Sequence, residues 1–242
     1  MHRFYIEKVQ GNTAEITDTD VLHHIRDVLR LKNGDEVVIF DGAEHEYKGV
    51  ISAINKKQVE LKLTPLNVQR SYNTKLTIAC SIPKGSRMDD IIDHLTQLGV
   101  EHIIPMHTER VVVKLDDARM EARLKRWQKI AQSAARQCQR SSIPDISSVI
   151  DVKDVISNSQ EYNLKLIPHL SGKRTLIKDV LARKKPKSII VLIGPEGDFT
   201  PEEVELALHN GFIPISLGDT VLRVATAAIA VASYIKFALD KQ

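Results

Sequence analysis

The sequence predicts an α/β protein in two parts: a β-rich first part, folded as a small barrel or sandwich, and a second part built on a mostly parallel sheet with crossover helices. Three observations lead there. Residues 1–70 alternate apolar and polar positions between Gly, Asn and Asp turn signals. Beyond residue 73, apolar strands alternate with amphipathic helices, which is the βαβ pattern of a parallel sheet. Between them Asn67–Asn73 is polar and centred on Arg70, so it reads as a linker and sets domains at 1–70 and 73–242.

In the first domain the strands are RFYIEKV, GDEVVIFDG, EYKGVISAI and QVELKLTPL. One helix interrupts them, Asp20 to Leu31. Val21, Leu22, Ile25, Val28 and Leu29 recur there at helical spacing until Asn33-Gly34 ends the run. In the second domain the order is strand KLTIACSI, helix Ser86 to Leu98, strand EHIIPM and a long basic helix Asp117 to Cys138. Strand YNLKLIPHL and a helix around Thr175 to Arg183 follow. Next come strand SIIVLIG, helix Pro201 to His209, strand PISLG and a last helix near Thr226 to Leu239.

Composition removes several classes. The 242 residues are 43% hydrophobic, 27% charged and 5% aromatic, within the globular range and outside that of disordered chains. Cys80 and Cys138 are far apart with no CxxC, which argues against a disulfide framework or a cysteine zinc site and fits a reducing, cytoplasmic setting. The start MHRFYIEKVQ lacks the apolar core of a signal peptide, and the longest aliphatic runs are far short of a membrane helix, so no membrane partner is expected. Nine histidines include no HExxH and no His/Cys cluster, so no catalytic metal is expected; GxSxG is absent as well.

Charge is informative through its placement. The net charge is only +3, yet Arg110 to Arg140 holds nine basic residues against three acidic ones, and Lys173 to Lys187 holds seven against Asp179. Gathered on one face, these bases attract a polyanion through counterion release; dispersed, they are solvated helix surface.

Three strand ends carry the candidate chemistry. In IGPEGDFTPEEVELALHNGF, residues 193–212, a strand ends at Ile193 and a glycine-containing loop follows. The next helix is announced by Thr200 as N-cap, Pro201 at its first position and Glu203 at the capping-box position. Loops beyond the carboxyl ends of parallel strands bind ligands, and Gly194 and Gly197 allow close backbone approach. With Glu196, Asp198, Glu202 and Glu203 nearby, and neither GxGxxG nor GxxxxGK, a neutral or cationic ligand is favoured over a phosphate. The alternative is a tight connection with capping glycines. The second strand end is SLGDTVLRVATAA, residues 216–228, where Gly218 permits an unusual turn. Arg223 stands just ahead of a helix, the end that disfavours cations, so it has either a ligand or a surface ion pair as partner. The third is Pro168-His169-Leu170, where His169 either meets a ligand or caps the sheet. Both cysteines read as packing residues.

IGPEGDFTPEEVELALHNGF followed by SLGDTVLR and TAA, supported by KGSRMDDIIDHLTQLGV, TERVVVKL and RWQKIAQSAARQCQRSSIP, forms an ordered set. It resembles the RsmE family, the 16S rRNA uridine-N3 methyltransferases of the SPOUT superfamily, and the similarity covers nearly the whole chain. The resemblance implies a PUA-like β-barrel for RNA at 1–70 and a SPOUT-like parallel sheet with a deep trefoil knot at 73–242. It implies S-adenosyl-L-methionine as cofactor and a cytoplasmic homodimer acting on small-subunit rRNA or the assembled small subunit. The cofactor residues it points to are Pro168, His169, Leu170, Ile193, Gly194, Pro195, Glu196, Gly197, Leu217, Gly218, Leu222, Thr226 and Ala227. For the uracil anion formed on loss of the N3 proton, Arg223 is the first stabilising candidate and Arg110 the second. Arg3, Arg26, Arg30, Arg136 and Arg140 are candidate RNA contacts, with ordinary surface charge as the alternative. The chain also departs from the family pattern: Ala225 stands where a glutamate precedes the threonine, His94 and Gln97 replace a lysine and a glutamate, and GPEGD replaces the commoner GPEGG. A second class of function is therefore a non-catalytic RNA-binding or ribosome-assembly module of the same fold; a third is methylation of another RNA such as tRNA.

Overall fold

A computed structural model describes residues 1–66, 74–85, 87–110, 117–170, 172, 174–182 and 186–239. The expected linker Asn67–Asn73, Ser86, Arg183 and the last five residues of TERVVVKL, 111–115, lie outside the described residues. The chain forms two compact units, one of Met1–Ser71 with Ala135–Ile143, the other of Tyr72–Ala134 with Pro144–Gln242. The short stretch Ala135–Ile143, inside the expected 73–242 domain, thus belongs to the first unit.

That first unit is a five-stranded curled sheet, a half-barrel, in the order β1-β3-β4-β5-β2. Its strands are β1 (His2–Tyr5), β2 (Thr13–Ile16), β3 (Glu36–Phe40), β4 (Glu46–Ile54) and β5 (Val59–Leu66). Alternation places Phe4, Val37, Ile39, Ile51, Leu61 and Leu63 inside, where they pack with Leu22 and Ile25. Four strands fall where the sequence pattern sets them. β2 has only four residues in TAEI, too few for the pattern to stand out, and it is held by antiparallel pairing to β5. The expected helix from Asp20 is an α-helix only over α1 (Thr19–His23), N-capped by Asp18. It continues as a π-helical turn, His24–Val28, and Arg30 then takes a left-handed backbone, φ 54°.

The second unit is an eight-stranded sheet whose strand pairings among the described residues are all parallel, in the order β11-β13-β10-β12-β6-β7-β8 with β9 also on β7. Its long strands are β6 (Lys75–Ser81), β7 (His102–His107), β10 (Leu164–Pro168), β12 (Ser188–Ile193) and β13 (Ile213–Ser216); β8 (Asp145–Ile146), β9 (Ile150–Asp151) and β11 (Thr175–Leu176) are two-residue pieces. The helices are α2 (Arg87–Gln97), α3 (Asp117–Gln137), α4 (Val152–Ser157), α5 (Ile177–Ala182), α6 (Pro201–His209) and α7 (Val224–Leu239). On one face α4 and α6 bury Val155, Ile156, Val204 and Ala207 against Ile104, Ile167, Ile190 and Leu192. Elsewhere α7 packs against α2 and on β6 and β12. With helices supplying both surfaces, β12 reads as the unbroken apolar run IIVLI that a doubly covered strand requires. α4 carries no long apolar period and was not foreseen; its six residues are fixed by the Asp151 cap and by burial of Val152, Val155 and Ile156.

Candidate functional site

Strands β13, β10 and β12 are neighbours in the sheet, so the loops at their carboxyl ends come together. They enclose a pocket lined by Pro168, His169, Leu170, Arg174, Ile193, Gly194, Pro195, Glu196, Asp198, Leu217, Gly218, Thr220, Val221, Leu222, Val224 and Ala227. The three strand ends that the sequence singles out therefore form one site. Gly197 and Thr226 do not line it. Arg174, Asp198, Thr220, Val221 and Val224 do, without having been named. The sequence marks Asp198 only as loop charge and Arg174 only as one base within the Lys173–Lys187 cluster.

Each loop is held by identifiable contacts. At Gly194 a Cβ atom would lie 2.9 Å from the Phe199 ring, which is itself buried, so glycine is what lets that ring close over the end of β12. The turn Pro195–Asp198 is closed by a bond from the Asp198 amide to the Pro195 carbonyl, 2.9 Å. The capping box forms as the sequence indicates. Thr200 Oγ1 accepts from the Glu203 amide at 3.2 Å, and Glu203 Oε2 accepts from the Thr200 amide at 2.8 Å. Glu203 is 1% exposed, and its other oxygen accepts from the Glu109 amide at 2.9 Å, which fastens the segment after β7 to the head of α6.

Arg110 follows directly. Its guanidinium donates to the carbonyls of Gly197, 2.6 Å, and Phe199, 3.3 Å. Its charge is thereby engaged in holding the 194–199 loop. Arg223 differs: it is exposed, lies between the lining residues Leu222 and Val224, and its side chain makes no hydrogen bond or ion pair among the described residues. Glu196 forms a long ion pair with Arg87, 3.7 Å, both about half exposed. Ala225 is part of the first turn of α7, which brings no carboxylate there.

Ile193, Leu217, Leu222, Val224 and Ala227 give the pocket apolar walls, while Glu196 and Asp198 set two carboxylates against one cation, Arg174, among the described residues that line it. A flat heteroaromatic group with a cationic neighbour suits that combination better than a phosphate does. Among the described residues no group of three or more His, Cys, Asp or Glu side chains is placed to hold a metal. The Cys80 thiol, fully buried, is pushed up to about 12 by desolvation and stays protonated, which makes it a packing residue.

In the first unit the five candidate arginines separate. Arg3 is 11% exposed, donates to Glu46 at 2.8 Å and lies 4.6 Å from the centre of the Phe40 ring. Arg140 is 5% exposed and donates through Nε to Ser142 Oγ, 2.9 Å. Arg26 and Arg136 are half-buried and Arg30 is exposed. A cleft between β1, the π-helical turn and residues 136–139 is lined by His2, His24, Arg136, Gln137 and Gln139 among others.

A family described as the RNA methyltransferase domain matches residues 70–236, and one described as the RNA methyltransferase PUA domain matches 16–64. Ribosomal RNA small subunit methyltransferase E of Bacillus subtilis is 31% identical to this chain over 98% of it and 96% of that protein. The chain belongs to the ribosomal RNA small subunit methyltransferase E family. Another family member of that name, from Mesomycoplasma hyopneumoniae, is also 31% identical, over 95% of this chain and 96% of its own. Methyltransferase E of Neisseria gonorrhoeae, solved bound to S-adenosyl methionine, superposes with a TM-score of 0.86 at 27% identity, covering 98% of this chain and 97% of that one. A Legionella pneumophila methyltransferase solved with the same cofactor gives 0.87 at 32% identity, with 98% and 97% covered.

Proposed function

We propose that this protein transfers a methyl group from S-adenosyl-L-methionine to nitrogen-3 of a uridine in small-subunit rRNA. The observation that carries the reading is the pocket itself: three loops at adjacent strand ends, with apolar walls and carboxylates, in a chain whose solved relatives bind that cofactor.

When bound, the cofactor supplies an electrophilic methyl on a sulfonium. Ile193, Leu217, Leu222 and Ala227 would give its adenine apolar contact, Pro168, His169, Leu170, Gly194 and Pro195 would border it with backbone, and Glu196 would balance its positive charge. Gly197 and Thr226 act from behind this lining, Gly197 through its carbonyl bond to Arg110. Nitrogen-3 becomes nucleophilic on losing its imide proton, and the charge then spreads over the flanking carbonyl oxygens. Arg223, exposed at the head of α7, is the group assigned to stabilise that anion; Arg110 is assigned to hold the loop in place.

RNA phosphates are assigned to Arg26, Arg30 and Arg136 and the cleft beside them, with Arg3 and Arg140 buttressing that surface from within. The protein acts in the cytoplasm as a homodimer, a reading supported by exposed Tyr234 and Phe237 on α7, 41% and 79%. The trefoil knot implied by the resemblance belongs to the same reading, and the return of α7 from the β13 edge to β6 is in keeping with it.

The test is to incubate the protein with the cofactor and unmodified small ribosomal subunits, digest the RNA and quantify 3-methyluridine by mass spectrometry. Wild type forms it, and Arg223→Ala forms it at least about a hundredfold more slowly, the scale of one lost oxyanion donor. Cofactor binding without 3-methyluridine would move the substrate to another RNA. Neither binding nor turnover would establish the non-catalytic module.

A further inference from the structure

Asp198 lies in the left-handed backbone region, φ 60°, which costs a non-glycine residue energy unless something holds it there. What holds it is a set of contacts reaching out of its own turn. Oδ2 accepts from the Leu170 amide at 3.2 Å and lies 2.9 Å from His169 Nδ1, while Oδ1 accepts from the Phe199 amide at 2.9 Å. The His169 and Asp198 side chains are only 15% and 17% exposed, so these interactions are shielded from water. The loop 168–170 has two further ties: the His169 amide donates to the Ile215 carbonyl of β13, 3.3 Å, and the His169 carbonyl accepts from the Arg174 guanidinium, 3.3 Å. That loop is thus fastened by backbone to β13 and by the Asp198 carboxylate to the 194–199 loop. Both loops line the pocket.

We infer that Asp198 is a positioning residue that latches the 168–170 loop to the 194–199 loop, so that the pocket is set to its ligand-bound width before the cofactor arrives. Its effect falls on cofactor affinity, because a loop ordered in advance loses less conformational freedom on binding. The methyl-transfer step and the stability of the fold are unaffected. The inference rests on the reading that this pocket takes S-adenosyl-L-methionine, and the experiment separates the two.

Titration calorimetry with S-adenosyl-L-methionine is run on wild type, Asp198→Gly and Asp198→Asn, together with urea unfolding and the rate at saturating cofactor. Glycine accepts φ 60° without strain, so Asp198→Gly removes the latch while keeping or raising stability. Its affinity is expected to fall about tenfold, with the saturated rate within about twofold of wild type. Asp198→Asn keeps a short acceptor but not the charge opposite His169, and lies between the two. Amide exchange at Leu170 in the free protein quickens in Asp198→Gly. Equal affinity in wild type and Asp198→Gly overturns the latch, and so does a parallel loss of affinity and stability. Failure of wild type to bind the cofactor overturns the assignment of the pocket, and the latch with it.

Discussion

His102, the first residue of β7, is a half-buried imidazole in an unsymmetrical setting. Its Nε2 lies 2.6 Å from Ser147 Oγ and 3.6 Å from an Asp145 carboxylate oxygen. Burial lowers its pKa below the ordinary 6.5, and the negative charges of Asp145 and Glu161 oppose that without reversing it. The folded protein therefore takes up this proton at lower pH than the unfolded chain does. The stability that neutral His102 contributes is fully present above 6.5 and is lost as pH falls from there through the lowered folded value. His102→Gln keeps a polar group for Ser147 and does not titrate. Urea midpoints of the two proteins, measured at pH 7.5, 6.5 and 5.5, should show the wild type losing ground to the variant on acidification; a constant difference would mean that this imidazole has no share in acid sensitivity. At the same scale, Arg223 and Arg110 show what sequence can and cannot separate. The sequence offers Arg223, just ahead of a helix and after Gly218, and Arg110, first of a basic stretch, as candidates for one role, but only the folded chain has one bonded to two carbonyls and the other without a partner among the described residues.

At the scale of elements, the head of α6 was the most legible part of the chain. Thr200, Pro201 and Glu203 satisfy the amides that every helix start leaves open, so the cap is a local matter that local sequence encodes. The second use of Glu203, receiving the Glu109 amide from 94 residues earlier in the chain, is non-local and left no mark in the sequence pattern. For the same reason β2, α4 and the two-residue strands escaped notice: their stability comes from pairing or burial against distant partners, and each is too short to display a period. Glu203 also offers a test. Its two oxygens serve amides from two elements, and a glutamine has one oxygen and an NH2 group, which leaves one buried N–H facing another donor. Glu203→Gln should cost about 2 kcal/mol in urea unfolding, within the range for a buried unsatisfied polar group. Amide exchange at Glu109 should quicken with it, and an unchanged stability would show that the clamp does not depend on the second oxygen.

For the molecule as a whole, the division into a β-rich part and a parallel α/β part follows from the change in hydrophobic period near residue 70, and both sheets form where that change puts them. What period does not contain is strand order. Nothing in the run of residues 213–239 announces that the chain leaves β13, next to the sheet edge, and returns across the sheet so that α7 packs on β6 and α2. One polar contact fixes this return. Lys236, 4% exposed, donates to Glu101 Oε1 at 3.0 Å, and Glu101 Oε2 accepts from the Leu76 amide at the start of β6, 2.7 Å. In a sequence this lysine looks like any surface cation near a helix end. Buried, it ties α7 to Glu101 ahead of β7 through an ion pair whose partners lie 135 residues apart. Breaking such a pair from one side strands a desolvated charge, whereas replacing both partners removes the penalty along with the attraction. Because Glu101 is 22% exposed, water relieves part of that penalty. Lys236→Met should therefore destabilise the second unit by about 2 kcal/mol in urea unfolding, below the full cost of a deeply buried pair. Adding Glu101→Gln to Lys236→Met should restore at least half of that loss, since the glutamine still accepts from the Leu76 amide. If the double variant is no more stable than Lys236→Met, the cost lies in lost packing of the lysine stem and the ion pair does not govern where α7 lies.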